Sequence, residues 1–550
     1  MINFAIPKKY VASVLGWAGA LDLQKVLFAI AFVLAVGASW YYYAHGLIAA
    51  YGDAESHLNI AKRVVDSITP GFAQLGGIWL PVPHILMMPF VYVDFLWRTG
   101  LAGSIVSGIC FIISTLYIYK IGEFITKNKW VGFVAGLVFI TNPNILYLQS
   151  TPMTELTLIV FFVLSTYYFI RFIEDQEDLV ALIAAAIFAF CAALSRYDGW
   201  FLVCAEAGII GLLYFPWHRV PRSWKEFRAG FSRDLWDKLE GRLILFGTIA
   251  FFGIALWLLW DWVILGDPLY FTHSVFSAKS QQNSWLARGE LPGYRHIGVS
   301  FLYYFVTAMS NVGVVVFLVA IVGLFWFMLK STNKHRFYIL LILLVPFIFN
   351  VITLFLGQSV IFIPHVTPVG FEWRLFNVRY GAMSVPLAAI CAAYLFYKVS
   401  WKSKILLAGL FVLQFGLYAV GYSKVMSLED GKVGLSSFIA KIPDAQNWFG
   451  KNYDHGLVLL DDYARAMSVI RTPVPMKNFI YIGNKPYWEE SLQTPEKWAT
   501  WIIMQKNDAV WRALFDDPYK QGQLYKYYVK QYTSEEILIF RRNDAVPVTN

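Results

Sequence analysis

Charge is scarce in this chain. Asp, Glu, Lys and Arg make up 15% of its 550 residues, against about 25% in ordinary soluble domains. That deficit excludes a string of soluble domains and a disordered polyelectrolyte. Cysteine is rarer still. Cys110, Cys191, Cys204 and Cys391 all lie in apolar runs and none has zinc-type spacing, so a disulfide scaffold and a zinc module are excluded and packing is their role. A cleavable leader is also missing: the first apolar run follows Lys8, Lys9 and Lys25 and is too long for a signal-peptide core. What the chain has instead is a 58% hydrophobic composition, a mean hydropathy of +0.54 and 18% aromatics. Aromatic side chains gather where membrane meets water. The sequence reads as a polytopic α-helical membrane protein.

A membrane-spanning helix needs about 20 mostly apolar residues. Runs of that kind lie near 26–48, 101–119, 131–149, 153–171, 179–195, 200–215, 243–265, 299–329, 337–357, 380–397 and 405–421, giving eleven spans, plus or minus two. Segment 80–97 is apolar but carries Pro81, Pro83 and Pro89, which makes it re-entrant or interfacial. With the N-terminus in the cytoplasm, cytoplasmic stretches hold 20 Lys and Arg and outer loops nine. That bias follows the positive-inside rule. The net charge of +9 thus sets topology, and no nucleic-acid face is needed to explain it. Residues 1–421 form the membrane module. The tail, 422–550, falls outside the cell and alternates strand-like runs (GLVLLDD, ATWIIMQ, EEILIFRR) with helix-like ones such as PDAQNWFGKN, the pattern of a small α/β extracytoplasmic domain. Asp461-Asp462 ends a strand-like run and reads as a solvated turn in preference to a metal pair.

Ionisable residues at the outer membrane face are costly and therefore informative. The first outer loop, 51–99, is long, and it opens with Tyr51-Gly52-Asp53-Ala54-Glu55-Ser56-His57-Leu58-Asn59. Leu58, Ala61, Val64, Val65 and Ile68 follow at helical spacing, which predicts an amphipathic surface helix. On it Asp53 and His57 share one face, as do Glu55 and Asn59. Asp53 is either a helix cap or a catalytic or substrate-binding group, and capping alone leaves Glu55 and His57 unexplained. In the second outer loop Glu155 heads an apolar run, where it is either a carboxylate favoured by the helix N-terminus or a second acid facing Asp53. Arg196 and Asp198 sit at an outer turn, as a local ion pair or as substrate ligands. The last outer loop supplies Glu372, Arg374 and Arg379. Arg379 there either snorkels or offers its planar fork to a lipid phosphate.

Acids in the first two outer loops with arginines at headgroup level suit one chemistry. A sugar on a polyprenyl phosphate is attacked by an acceptor hydroxyl, a carboxylate takes the proton as general base, and arginine stabilises the departing phosphate. The arrangement resembles the GT-C superfamily of membrane glycosyltransferases, and most of all its protein mannosyltransferase and aminoarabinose transferase branch. The resemblance rests on Gly52-Asp53-Ala54-Glu55-Ser56-His57 just after the first span, on Glu155, and on the segments Arg196-Tyr197-Asp198-Gly199-Trp200 and Asn377-Val378-Arg379-Tyr380-Gly381. It implies a GT-C-like fold, Asp53 as catalytic base, Glu155 assisting acceptor placement, and Arg196 and Arg379 on the donor phosphate. It implies a hexose such as mannose as the sugar, and a protein, glycolipid or glycan as acceptor. A divalent cation, Mg²⁺ or Mn²⁺, could use Asp53, Glu55 and His57 as ligands, but none is obligatory. No Trp-Trp-Asp occurs, which disfavours en bloc glycan transfer to asparagine.

The competing class is a transporter or flippase for a lipid-linked sugar. Such proteins place charge near the bilayer midplane, whereas here Glu206 and Asp261 are the main mid-span charges. Without organellar signals, the expected location is a prokaryotic plasma membrane.

Overall fold

The computed structural model describes residues 22–215, 233–274, 277–435, 443–462 and 467–544; the basic stretches before residue 22 and at 216–232 lie outside them. Among the described residues, six helices are long and apolar enough to cross a membrane, or up to eight if each of two bent pairs is one span. The first is Leu23–Ala44, started by Asp22, whose carboxylate accepts from the amides of Gln24 and Lys25. The expected eleven spans therefore rest in part on shorter apolar helices, Lys129–Ile140 and Leu179–Ala193 among them.

Three of the expected spans are broken, each for a local reason. The run 131–149 is two helices, Lys129–Ile140 and Pro143–Leu148, because Asn142 accepts from the amides of Asn144 and Ile145 and so starts a new helix. The run 299–329 is not one span but Ile297–Val312 and Val314–Lys330, bent by 112°. Gly313 makes that corner at φ +93°, a backbone state that only glycine adopts without strain. Gln414 closes on the corner and accepts from the Val315 amide at 2.9 Å, satisfying an otherwise orphaned donor. Arg336–Leu343 and Val345–Leu356 meet at 51°, with Pro346 in the first turn of the second helix. The proline-rich segment 80–97 forms two short helices, Val82–Val91 and Asp94–Thr99.

The expected helix of the first outer loop is present as Gly52–Val65, but it does not lie along the surface: nine of its 14 residues are buried and none is exposed, because the tail and the segment 80–97 pack around it. Beside it the second outer loop is clamped to the helix Leu101–Thr126, whose Ser104 and Ser107 hydroxyls donate to the carbonyls of Ser150 and Thr151 at 2.6 and 2.8 Å. Gly103 lets Pro152 come close; a Cβ there would lie 2.2 Å from the proline ring.

The tail contains a five-stranded sheet: β1 Leu457–Leu460, β2 Phe479–Ile480, β3 Ala499–Gln505, β4 Tyr528–Thr533 and β5 Ile537–Arg542, in the order β2-β1-β3-β5-β4. β1 runs parallel to β2 and β3, while β5 runs antiparallel to β3 and β4. Its side chains divide by the two-residue period of a strand. Val458, Leu460, Ile503 and Ile539 join the main core, and Leu459, Ile502, Met504 and Phe540 form a second one. The three strand-like runs read from the sequence are β1, β3 and β5, and the helix-like run is Pro443–Asn452. Asp461-Asp462 is neither a metal pair nor a solvated turn. Asp461 accepts from the Ala509 amide and Asp462 pairs with Arg63 of the helix Gly52–Val65.

The tail is fastened to the first outer loop by polar contacts. Arg98 donates to the carbonyls of Ile470, Thr472 and Val474, Gln74 donates to the Gly483 carbonyl, and Asn484 donates to Thr69. Replacing Arg98 by alanine would strand three carbonyls, at a cost of roughly 1–3 kcal/mol. Amide exchange around residues 470–474 should then quicken by about tenfold or more, with the spans unaffected; unchanged exchange would show that Arg98 is not a fastening.

Candidate active site

The site is assembled around Arg379, in the 3₁₀ turn Val378–Ser384 that precedes the helix Val385–Lys398. Each nitrogen of its guanidinium meets a different carboxylate. Nη2 donates to Asp53 Oδ2 at 2.9 Å, Nε donates to Glu155 Oε1 at 3.2 Å, and Nη1 lies 3.5 Å from Asp430 Oδ2. The three acids come from the helix Gly52–Val65, the start of the helix Glu155–Glu174, and the helix Met426–Gly434 after the last span.

Glu155 is shared. Its Oε1 also accepts from Arg196 Nη1 at 3.1 Å, and Arg196 reaches Asp198 at 3.3 Å and the Thr154 hydroxyl at 3.0 Å. Aromatic rings complete the cradle: Tyr380 lies 5.2 Å from the Arg379 guanidinium and 5.0 Å from that of Arg196, and Tyr51 lies 4.9 Å from Arg379. Rings at that distance attract a guanidinium through their quadrupoles. Two guanidiniums thus face four carboxylates, leaving the network with excess negative charge.

Burial differs sharply among the members. The Glu155 side chain is 0% exposed, that of Arg379 6%, and that of Asp430 4%, but that of Asp53 is 38% exposed. Buried charge survives only when paired, which fixes Glu155 and Arg379 as the interior of the network and Asp53 as its accessible end. Glu155 Oε2 has no hydrogen-bond partner, and neither has Asp430 Oδ2. Burial raises the Asp430 carboxyl to about 6 against the pull of Arg379.

The residues singled out by sequence separate into two groups. Asp53, Glu155, Arg196, Asp198 and Arg379 form one network. Asp53 does not serve as the cap of its helix: Tyr51 holds that position, and Asp53 sits in the first turn facing Arg379. Arg196 and Asp198 do form the local ion pair, and it is attached to the network through Glu155. Glu55, His57, Glu372 and Arg374 are not part of it. Glu55 accepts from the Ser468 hydroxyl at 2.6 Å, so it serves the docking of the tail. His57 Nδ1 lies 2.9 Å from His84 Nε2, against the Trp79 ring. Glu372 pairs with Arg288 at 2.8 Å on the surface, and Arg374 is exposed. Because Asp53, Glu55 and His57 turn to Arg379, Ser468 and His84 respectively, they do not converge on one cation. Among the described residues no group of three His, Cys, Asp or Glu could hold a metal ion.

Sequence reading missed Asp430. It stands in Leu428-Glu429-Asp430-Gly431-Lys432, a charged stretch that looks like the opening of the soluble tail. The helix Met426–Gly434 instead packs on the bundle. Its Ser427 amide donates to Asn144 Oδ1 at 2.9 Å, its Ser427 hydroxyl to Asn311 Oδ1 at 3.0 Å, and the Tyr51 hydroxyl donates to the Ser427 carbonyl. The available signal was positional: an acid just after a span, as Asp53 is just after the first.

Comparison with known proteins bears on the fold. Residues 96–229 match the family model of dolichyl-phosphate-mannose-protein mannosyltransferase, a stretch that contains Glu155, Arg196 and Asp198. In three dimensions the chain is similar to ArnT from Cupriavidus metallidurans in a crystal structure bound to undecaprenyl phosphate, with a TM-score of 0.55, 11% identity, and coverage of 94% of this chain and 99% of that one. The apo form of that protein gives a TM-score of 0.54 at the same identity and coverage. An oligosaccharyltransferase from Archaeoglobus fulgidus in the apo form gives 0.46 at 11% identity, over 95% of this chain and 74% of that chain, a likeness that carries no argument here. No curated protein sequence matches the chain. The fold is GT-C-like: a helical membrane bundle with a C-terminal α/β region.

Removing the hub should cost more than removing a spoke. Arg379→Gln leaves three acids without their common partner, two of them buried, a loss of about 3–5 kcal/mol. Asp53→Asn, at the accessible end, should stay within about 1 kcal/mol of wild type. Thermal unfolding in detergent checks both; equal stability of Arg379→Gln and wild type would show that Arg379 does not hold these segments together.

Proposed function

We propose that the protein is a membrane glycosyltransferase that moves a sugar from a polyprenyl-phosphate donor to an acceptor hydroxyl at the outer membrane face. The observation that carries the reading is the accessible carboxylate of Asp53 bonded to a buried guanidinium, Arg379, at the outer end of the bundle. A phosphate taking donors from Arg379 would release Asp53 beside the sugar carbon that the phosphate carries. The acceptor O–H then gives its proton to Asp53, the acceptor oxygen bonds to the anomeric carbon, and the carbon–phosphate-oxygen bond breaks with its electron pair on the phosphate. Arg379 meets that charge. One displacement inverts the anomeric configuration. Glu155 and Arg196 hold Arg379 from behind.

The family model over 96–229 and the ArnT structure with undecaprenyl phosphate support a polyprenyl-phosphate donor. The family description favours mannose, or another hexose, as the sugar. Lys and Arg placement supports a cytoplasmic N-terminus and an outer tail. The tail, docked on the first outer loop, is placed to help select a protein, glycolipid or glycan acceptor.

Purified protein offered a panel of radiolabelled polyprenyl-phosphate sugars should release or transfer one of them. Asp53→Asn should lower that rate by about 10²–10⁴-fold, the range of general-base catalysis, while still binding the donor. Equal turnover would clear Asp53 as base, retained anomeric configuration would sink the single displacement, and donor movement across vesicles without sugar release would favour a flippase.

A further inference from the structure

Asp430 has no part in the reaction just described, yet it occupies the third nitrogen of the arginine on which that reaction depends. Its contact differs from the other two. Asp53 and Glu155 take hydrogen bonds from Nη2 and Nε at 2.9 and 3.2 Å, whereas Asp430 Oδ2 stands 3.5 Å from Nη1, the longest of the three contacts. Nη1 is therefore the least tightly held of the three nitrogens. A phosphate that displaces Asp53 from Nη2 can draw on Nη1 as well.

Asp430 is also held rigidly. The helix Met426–Gly434 approaches its neighbours through glycines where larger residues would collide. A Cβ on Gly431 would lie 2.4 Å from the Tyr147 hydroxyl, and one on Gly434 would lie 3.0 Å from the Ala50 carbonyl oxygen. Ser427 adds bonds to Asn144 and Asn311 at the start of the same helix. A charge so fixed cannot swing aside when an anion arrives. It opposes that anion for as long as the anion stays.

We propose that Asp430 is a positioning residue of the donor-phosphate site, which keeps Nη1 of Arg379 aligned and available and limits how tightly the phosphate is held, so that the polyprenyl phosphate product departs. This rests on the reading of Arg379 as the phosphate ligand. It accounts for a carboxylate placed, against electrostatic expectation, beside an anion-binding guanidinium. Binding tight enough to capture the product would slow every later turnover, and a fixed opposing charge prevents that.

The test is the dissociation constant of undecaprenyl phosphate for the full-length protein in detergent, a measurement that needs no acceptor. Deleting one charge a few ångströms from the phosphate should tighten binding by about tenfold or more at the effective dielectric of a protein surface. Asp430→Asn should therefore bind undecaprenyl phosphate about tenfold more tightly than wild type at pH 8. A residue that merely packed the helix would give weaker binding. The ratio between the two proteins should shrink toward one below about pH 6, where the Asp430 carboxyl takes up its proton. The charged and titratable groups facing Asp430 are Arg379, Asp53, Tyr51 and Tyr147, with Glu429 and Lys432 on its own helix. All are unchanged in the variant, and the phosphate, whose second ionisation also falls at about pH 6, carries the same charge for both proteins at each pH, so the comparison at pH 8 decides and the pH trend supports it.

Unchanged or weakened binding by Asp430→Asn, with wild type binding normally, overturns this inference alone. No binding by wild type overturns the functional reading beneath it as well. Should the asparagine chain fail to fold, Asp430→Glu decides the matter, because it keeps the charge. Affinity within about twofold of wild type is expected, and a tenfold tightening would overturn the proposal.

Discussion

A guanidinium buried at the end of an apolar helix bundle must be paired, and in this protein that requirement governs how distant parts of the chain meet. Arg379 bonds to Asp53, more than three hundred residues earlier, and to Glu155, and faces Asp430 on the far side of the last two apolar helices. Withdrawing a carboxylate or guanidinium from water costs several kcal/mol after relaxation, so the buried Glu155, Asp430 and Arg379 are not stable in their places without a partner of opposite charge. The network thereby fixes the entry angle of the helix Gly52–Val65, the start of Glu155–Glu174 and the seat of Met426–Gly434. The bends serve the same end. The corner at Gly313 puts Asn311 within reach of Asn142, Asn144, Ser427 and the Val378 carbonyl next to Arg379.

Much of this was legible in the sequence because apolar surroundings make charge conspicuous. Asp53, Glu155, Arg196, Asp198 and Arg379 stand out as the polar residues at the ends of apolar runs, and they are the ones that meet. The helix after the first span and the three principal strands were also visible, since helical and alternating patterns survive without knowledge of partners, but the covering of that helix by the tail was not. The GT-C-like fold was an expectation of family resemblance, carried by the residues Gly52 to His57 after the first span, by Glu155 and by the segments 196–200 and 377–381.

What stayed hidden depends on events that a one-dimensional pattern does not record. Gly313 breaks a run of unbroken hydropathy, because a positive φ changes direction without changing polarity. Glu55 and His57 lie within one turn of Asp53 yet serve other partners, since residues two and four along a helix point to different neighbours once the tail and the segment 80–97 are packed around it. Asp430 was concealed by its context: a charged helix followed by strand-like runs looks soluble, and only the docking of Ser427 and the two glycines reveals that it belongs to the bundle. Chain proximity and charge density mark where a site begins. They do not say which distant segment closes it.

The excess of negative charge in the network bears on how such a site can work at all. With four carboxylates to two guanidiniums, an incoming phosphate is not drawn to a waiting cation, because it must exchange with a carboxylate already bonded there. The exchange is uneven, because the carboxylates are not equally free. Glu155 is enclosed between both arginines and Asp430 is fixed on a rigid helix, so Asp53, at the exposed end, is the one able to give way. The group displaced by the donor is then the same group that the acceptor needs as a base. Donor binding and base release become a single event, and an empty site keeps its carboxylate engaged by Arg379.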